Sequence, residues 1–148
     1  MKHKEKSIMK FIKSFGGREK YKPMKLKKDA TSDCVVRAIA HATGQDYKET
    51  FQDLINLSWQ TLENMNDEKC YEEYLYRMGW EKHKPMRNGR NRKFKVNQFP
   101  KTGTYIILTT GHLTCVKDGI LYDSWNCGKS SSNSYYTKTL FGYNNGVA

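Results

Sequence analysis

The chain is predicted to be α+β, with helices in its first half packed on an antiparallel sheet in its second. Three observations carry this. Apolar residues recur at helical spacing between about 33 and 78, strand-like alternation of β-branched and aromatic residues fills 104–143, and each segment is bounded by fitting caps or turns. At 148 residues there is room for one core and not two. A basic extension, residues 1–28, is expected to precede the domain at 29–148.

Within the extension, Ile8, Phe11, Ile12 and Phe15 fall at i, i+3, i+4 and i+7 among lysines. That spacing predicts a short basic amphipathic helix, stopped by Gly16-Gly17 and docked by its apolar stripe. Arg18 to Lys28 is basic and reads as extended. Ser32 or Asp33 then caps a helix reaching about Ala42, with Gly44 as its stop. Asp46 followed by Glu49 forms an Asp version of the capping box. It opens a second helix, Tyr47 to about Leu62, with Phe51, Leu54, Ile55 and Leu62 inward. A third helix, about Asp67 to Met78, presents Cys70, Tyr74 and Met78 on one face and ends at Gly79.

Beyond Trp80 the pattern changes. Arg87-Asn88-Gly89-Arg90 carries a turn signal in a basic loop or hairpin with no acidic residue as far as Lys101. Strands are expected over Thr104–Thr109, His112–Lys117 and Gly119–Trp125. A Ser-rich loop near 129–134 leads to a last strand, Tyr135–Tyr143. Helices first and an antiparallel sheet second define the class.

Charge narrows the partners. The chain carries +11, and 19 of its 26 Lys and Arg residues fall within Met1–Lys28 and Lys82–Lys101. Such clusters suit nucleic acid, anionic lipid or an acidic polymer. Around Phe94, the residues Arg87, Arg90, Arg92, Lys93 and Lys95 offer phosphate contacts beside a stacking surface. No secretory or membrane-spanning pattern is present, so a cytoplasmic location is expected. The four cysteines then read as free thiols. No Cys-x-x-Cys or His-x-x-x-His spacing occurs, and neither a metal site nor a cofactor is expected.

The chemistry-bearing residues are Cys34, His112 and Asp123. Cys34 opens an apolar helix, where the positive end of the macrodipole favours a thiolate. If Asp118-Gly119 is a two-residue turn, Lys117 pairs with Ile120, Thr114 with Asp123 and His112 with Trp125. His112, Thr114, Asp123 and Trp125 then share one face, with His112 and Asp123 as diagonal neighbours. A carboxylate there orients an imidazole, and an imidazole activates a thiol. Asn126 is the rival orienting residue and falls on the opposite face in this register. Cys115 alternates away from His112, and Cys127 is expected in a loop. Taken singly, each of these residues reads as an ordinary core or strand residue. Their combination points to catalysis.

These residues carry a resemblance. Asp33-Cys34 at a helix start, Gly111-His112 on a strand and Asp123 on the next resemble the papain-like cysteine peptidases, closest to the compact bacteriocin-processing branch. Ser32–Ala40 and Gly119–Trp125 also resemble segments of small bacteriophage proteins. The resemblance covers roughly Lys28 to Asn126. It implies a papain-like fold with the nucleophile-bearing helix first, Cys34 as nucleophile, His112 as general base and acid, and Asp123 as orienting residue. Amide or isopeptide cleavage through a thioester, on a peptide or protein substrate in a host cytoplasm, would follow. One element departs: the family's Gln before the Cys is missing, with Lys28, Asp29 and Thr31 in that region. Loss of such an oxyanion donor costs on the order of 10²–10³ in turnover unless another, such as Asn97 or Gln98, replaces it. Two other functions compete. One is nucleic-acid or polyanion binding through the basic surface, the other is blocking of a host protein by surface binding on a catalytically weak scaffold.

Overall fold

The computed structural model describes residues 8–24 and 31–139. Its elements, in chain order, are β1 (Lys10–Lys13), α1 (Cys34–Thr43), α2 (Tyr47–Thr61), α3 (Glu68–Arg77), β2 (Trp80–His83), β3 (Thr104–Thr109), β4 (His112–Lys117), β5 (Ile120–Asp123) and β6 (Ser134–Lys138). The class is α+β. The sheet has six strands in the order β1-β5-β4-β3-β6-β2, and it is mixed because β1 runs parallel to β5.

The N-terminal stripe is therefore a strand and not the expected helix. Phe11 pairs with Leu121 and Lys13 with Asp123, while Ile8 is exposed and Met9 and Phe15 are buried. Two turns of isolated helix are marginal, whereas β5 offers an unpaired edge whose backbone groups need partners. Residues 10–18 thus belong to the domain and are not an appendage. Of the segment expected to be extended, Arg18–Lys20 forms a 3-10 turn, while residues 25–30 and the expected strand end at 140–143 lie outside the described residues.

The helices form where their caps predict. Gly44 adopts φ 75° and donates to Ala40, and the Asp46 carboxylate accepts from Lys48 N and Glu49 N. On α2, however, Tyr47, Thr50, Leu54 and Leu57 face inward, while Ile55 and Leu62 are exposed. Phe51 is half-buried. Leu54 is buried as expected, but Tyr47 and Thr50 extend the buried stripe where Ile55 and Leu62 were expected to. α3 buries Cys70, Tyr71, Tyr74 and Leu75, leaving Met78 half-buried. Helix side chains join Trp80, Ile106, Leu113, Cys115 and Tyr136 in one core. Met9, Val96, Phe99, Ile107, Val116 and Leu121 form a second core on the other face of the sheet. β2 was not expected: Trp80-Glu81-Lys82-His83 has no apolar alternation and pairs only with β6 at the sheet edge.

The central hairpin has the expected register. Asp118 (φ 50°) and Gly119 (φ 79°) both adopt the left-handed conformation that a tight primed turn needs. Lys117 pairs with Ile120, Val116 with Leu121 and Cys115 with Tyr122. His112, first in β4, and Asp123, last in β5, are thereby brought to one end of the sheet.

Candidate active site

Three elements converge at that end. α1 delivers Cys34 as its first residue, β4 delivers His112 and β5 delivers Asp123. His112 Nε2 lies 2.7 Å from Asp123 Oδ2, which leaves the other ring nitrogen for the thiol. Cys34, half-buried at the start of α1, lies near enough to His112 and to the Leu113 backbone N–H for both to favour its thiolate. The imidazole of His112 thus stands between Cys34 and Asp123 at this end of the sheet.

Electrostatics favour a thiolate–imidazolium pair. Burial works to raise the Cys34 thiol, but the His112 and Leu113 bonds and the His112 and Arg37 charges outweigh it and hold it below its ordinary value. Burial works to lower His112, yet its bonds to Asp123, Cys127 and Cys34 push it up to about 11. Asp123 is buried, which alone would raise it. The His112 bond and charge, Thr114 and the Ser124 N–H hold it below the usual carboxylate range. The Trp125 ring lies against His112, with centroids 5.1 Å apart, and shelters the imidazole from water.

Around this trio lies a set of residues that the sequence reading did not assign to the site. Thr114 Oγ1 donates to Asp123 Oδ2, Ser124 N donates to Oδ1 at 2.7 Å, and Arg37 Nη2 donates to Oδ1 at 3.2 Å. Arg37 Nη1 donates to Asp33 and Thr31. Asp33 also accepts from Arg18 at 3.0 Å and from the Tyr47 hydroxyl. It sits at the N-cap position, but its side chain makes no capping bond, because the carboxylate is committed to these partners. A signal for Arg37 did exist: one charged residue inside the apolar run Val35-Val36-Arg37-Ala38-Ile39-Ala40. Cys127 is buried and lies 3.5 Å from Asp123 Oδ2, so the imidazole is flanked by two thiols rather than one. Cys115 faces the helical core, where burial pushes it up to about 12.

Other expectations change. Asn126 is exposed and its side-chain oxygen accepts from Gly128 N, so Asp123 is the residue that holds His112. Gln98 Oε1 accepts from Lys95 N, and among the described contacts neither Asn97 nor Gln98 meets Cys34. Phe94 is half-buried, and its ring makes a T-shaped contact with Phe99 beside the second core. Lys93 is half-buried and bonds Asn133, whereas Arg87, Arg90, Arg92 and Lys95 are exposed. The Asn88-Gly89 signal marks a wider loop than a two-residue turn. Arg87 bridges to Lys93, and the Asn88 side chain accepts from Arg90 N and Arg92 N. Among the described residues, His112, Asp123 and Cys127 have donor atoms within 4.8 Å of one another and are where a metal could be held. Those atoms are already engaged in hydrogen bonds, and the neighbouring Arg37 charge opposes a dication.

Comparison of the chain with protein-family models, with curated proteins and with solved structures finds no match.

Proposed function

We propose that this protein is a papain-like thiol hydrolase that cleaves an amide or isopeptide bond of a peptide or protein substrate. The observation that carries the proposal is the convergence of Cys34 at the start of α1 with a His112 that Asp123 holds at 2.7 Å. In this reading the Cys34 thiolate attacks the carbonyl carbon, and the His112 imidazolium gives its proton to the leaving amine as the C–N bond breaks. His112 then takes a proton from water, whose oxygen attacks the thioester, and the thiol leaves as the free acid forms. Asp123 keeps the imidazole oriented throughout and stabilises its charged form. The Cys34 backbone N–H is the oxyanion donor available in place of the missing Gln. A nucleophile helix followed by a sheet bearing the base and then the acid supports the papain-like assignment, and the likeness of two segments to bacteriophage proteins supports a phage origin.

The test is the pH dependence of Cys34 alkylation by iodoacetamide, followed by peptide mass spectrometry in wild type and His112→Ala. Reaction well below the ordinary thiol value of about 8.5, displaced upward in the variant, is expected. A Cys34 that titrates as a free thiol in both proteins overturns the proposal.

A second reading rests on Arg87, Arg90, Arg92 and Lys95, exposed in a stretch without acidic residues. It gives the same domain a polyanion-binding face that steers acidic substrates or nucleic acid to it. Binding to single-stranded DNA that falls steeply with salt supports it, and no binding at low salt removes it.

A further inference from the structure

Arg37 lies one turn into α1 from Cys34 and is 3% exposed, in a position that an apolar residue would fill at lower desolvation cost. We infer that Arg37 is a positioning residue of the thiol site: its guanidinium ties Asp33, the residue before the nucleophile, to Asp123, the residue that orients the base. This rests on the thiol-hydrolase reading above.

The geometry gives each half of the fork a separate task. Nη1 holds Asp33 and Thr31 at the start of α1, and Nη2 crosses to the end of β5. Residues 33 and 123 are far apart in sequence, and Arg37 is the side chain that joins them directly. On Asp123 the two oxygens are divided. Oδ1 accepts from Arg37 and Ser124 N, so Oδ2 is left to His112 and Thr114. A carboxylate free to rotate would share its oxygens among these donors. The planar fork prevents that, and a lysine ammonium has no equivalent geometry.

The backbone of Arg37 is also fixed from behind. Gly16, at φ 72°, packs so closely that a Cβ there would stand 2.9 Å from Arg37 Cα. The turn after β1 therefore presses on α1 at this residue, and the same turn sends Arg18 to Asp33.

The charges close around the site. Asp33, with Arg18 from the β1 turn and Tyr47 from α2, faces one side of Arg37. Asp123 from β5, with His112 from β4 and Cys127, faces the other. His41 on α1 and Tyr71 on α3 complete the titratable neighbours of Arg37 and Cys34. With Arg18 and the His112 imidazolium already set against the two carboxylates, Arg37 makes the surroundings of the thiolate net positive. Without Arg37 that excess positive charge is lost and the orienting carboxylate is free to turn.

The experiment measures the pH profile of Cys34 alkylation by iodoacetamide in wild type, Arg37→Met and Arg37→Lys, with near-UV circular dichroism as the check on folding. Arg37→Met is expected to slow alkylation at pH 6 by about tenfold or more, the size of a one-unit rise in the thiol's apparent pKa. Arg37→Lys keeps the charge without the fork and should fall between the two. A purely structural role would lower the melting temperature and leave the profile in place. If Arg37→Met does not fold, Arg37→Lys decides, and a wild-type profile there overturns the inference. An ordinary profile in the wild type itself overturns the thiol-hydrolase reading and this inference together. An activated wild type with an unchanged Arg37→Lys removes this inference alone.

Discussion

Two mixed-charge clusters lie toward opposite edges of the sheet. Beside β5, Arg37 joins Asp33 and Asp123 with side chains 3–9% exposed. On the β2 edge, Lys82 reaches Glu68 at 2.8 Å and Glu72 at 2.6 Å with side chains 34–46% exposed. The Lys82 contacts are shorter than the 3.2 Å between Arg37 and Asp123. Distance alone would rank the Lys82 pairs above the Arg37–Asp123 pair. Burial reverses the order: water screens the edge pairs, while the inner cluster cannot lose one member without stranding another in a poorly solvating interior. The inner cluster is accordingly where position is enforced, and the thiol site is built on it.

Asp123→Ala should have the largest effect, because it leaves Arg37, Thr114 and His112 without their shared acceptor. A loss of about 3–5 kcal/mol in urea unfolding is expected, together with loss of the low-pH alkylation of Cys34. An effect no greater than that of a surface substitution would break the comparison.

Glycine substitutions sharpen it next. Gly16 and Gly44 have similar φ, 72° and 75°, but an added Cβ meets Arg37 at Gly16 and nothing within 4 Å at Gly44. Backbone strain is common to both and costs about 1–3 kcal/mol at most. Gly16→Ala should therefore be the more destabilising of the two in thermal melts, and the difference reports the packing of the β1 turn on α1.

The pH dependence of stability separates the groups. Asp33 and Asp123 are held low, so their contribution is present above the ordinary carboxylate value of about 4 and is lost as pH falls through their folded values. Cys34, also held low, contributes fully above about 8.5 and less as pH falls. His112, raised to about 11, contributes fully below its ordinary value of about 6.5 and loses that contribution as pH rises toward 11. The Cys34 rise opposes the His112 fall only up to about 8.5, and above that the His112 decline stands alone. Urea midpoints measured from pH 3 to 10 should trace it, and His112→Ala should erase the alkaline decline.

The smallest effect is expected at the edge. Lys82→Met should change stability by no more than about 1 kcal/mol and leave Cys34 alkylation unaltered. A larger loss would mean that the edge cluster also enforces position.

Much of the site was legible before any coordinates. A cap followed by Cys34, and an Asp118-Gly119 turn that sets the register, are local signals, and together they bring His112 next to Asp123. Local rules also placed the ends of α1, α2 and α3 within a residue or two. The rest depended on partners far away in the chain. Ile8, Phe11, Ile12 and Phe15 have helical spacing, but the open edge of β5 supplies hydrogen bonds that a two-turn helix cannot match. Ile55 and Leu62 are as apolar as Leu54, yet α1 meets the flank that carries Tyr47, whose hydroxyl Asp33 requires. Phe94 sits among arginines in sequence, yet part of its surface goes to Phe99 and the second core, which no local pattern announces.

Local sequence set the α+β order of elements, the ends of the helices, the tight hairpin and the meeting of His112 with Asp123. These follow from backbone geometry and side-chain chemistry over a few residues. Only the tertiary structure decided that β1 closes the sheet beside Asp123, that Cys127 is a second thiol on the imidazole, and that Arg37 joins the helix to the sheet. Each of these depends on which distant group satisfies a buried donor, acceptor or charge, and no local pattern specifies that choice.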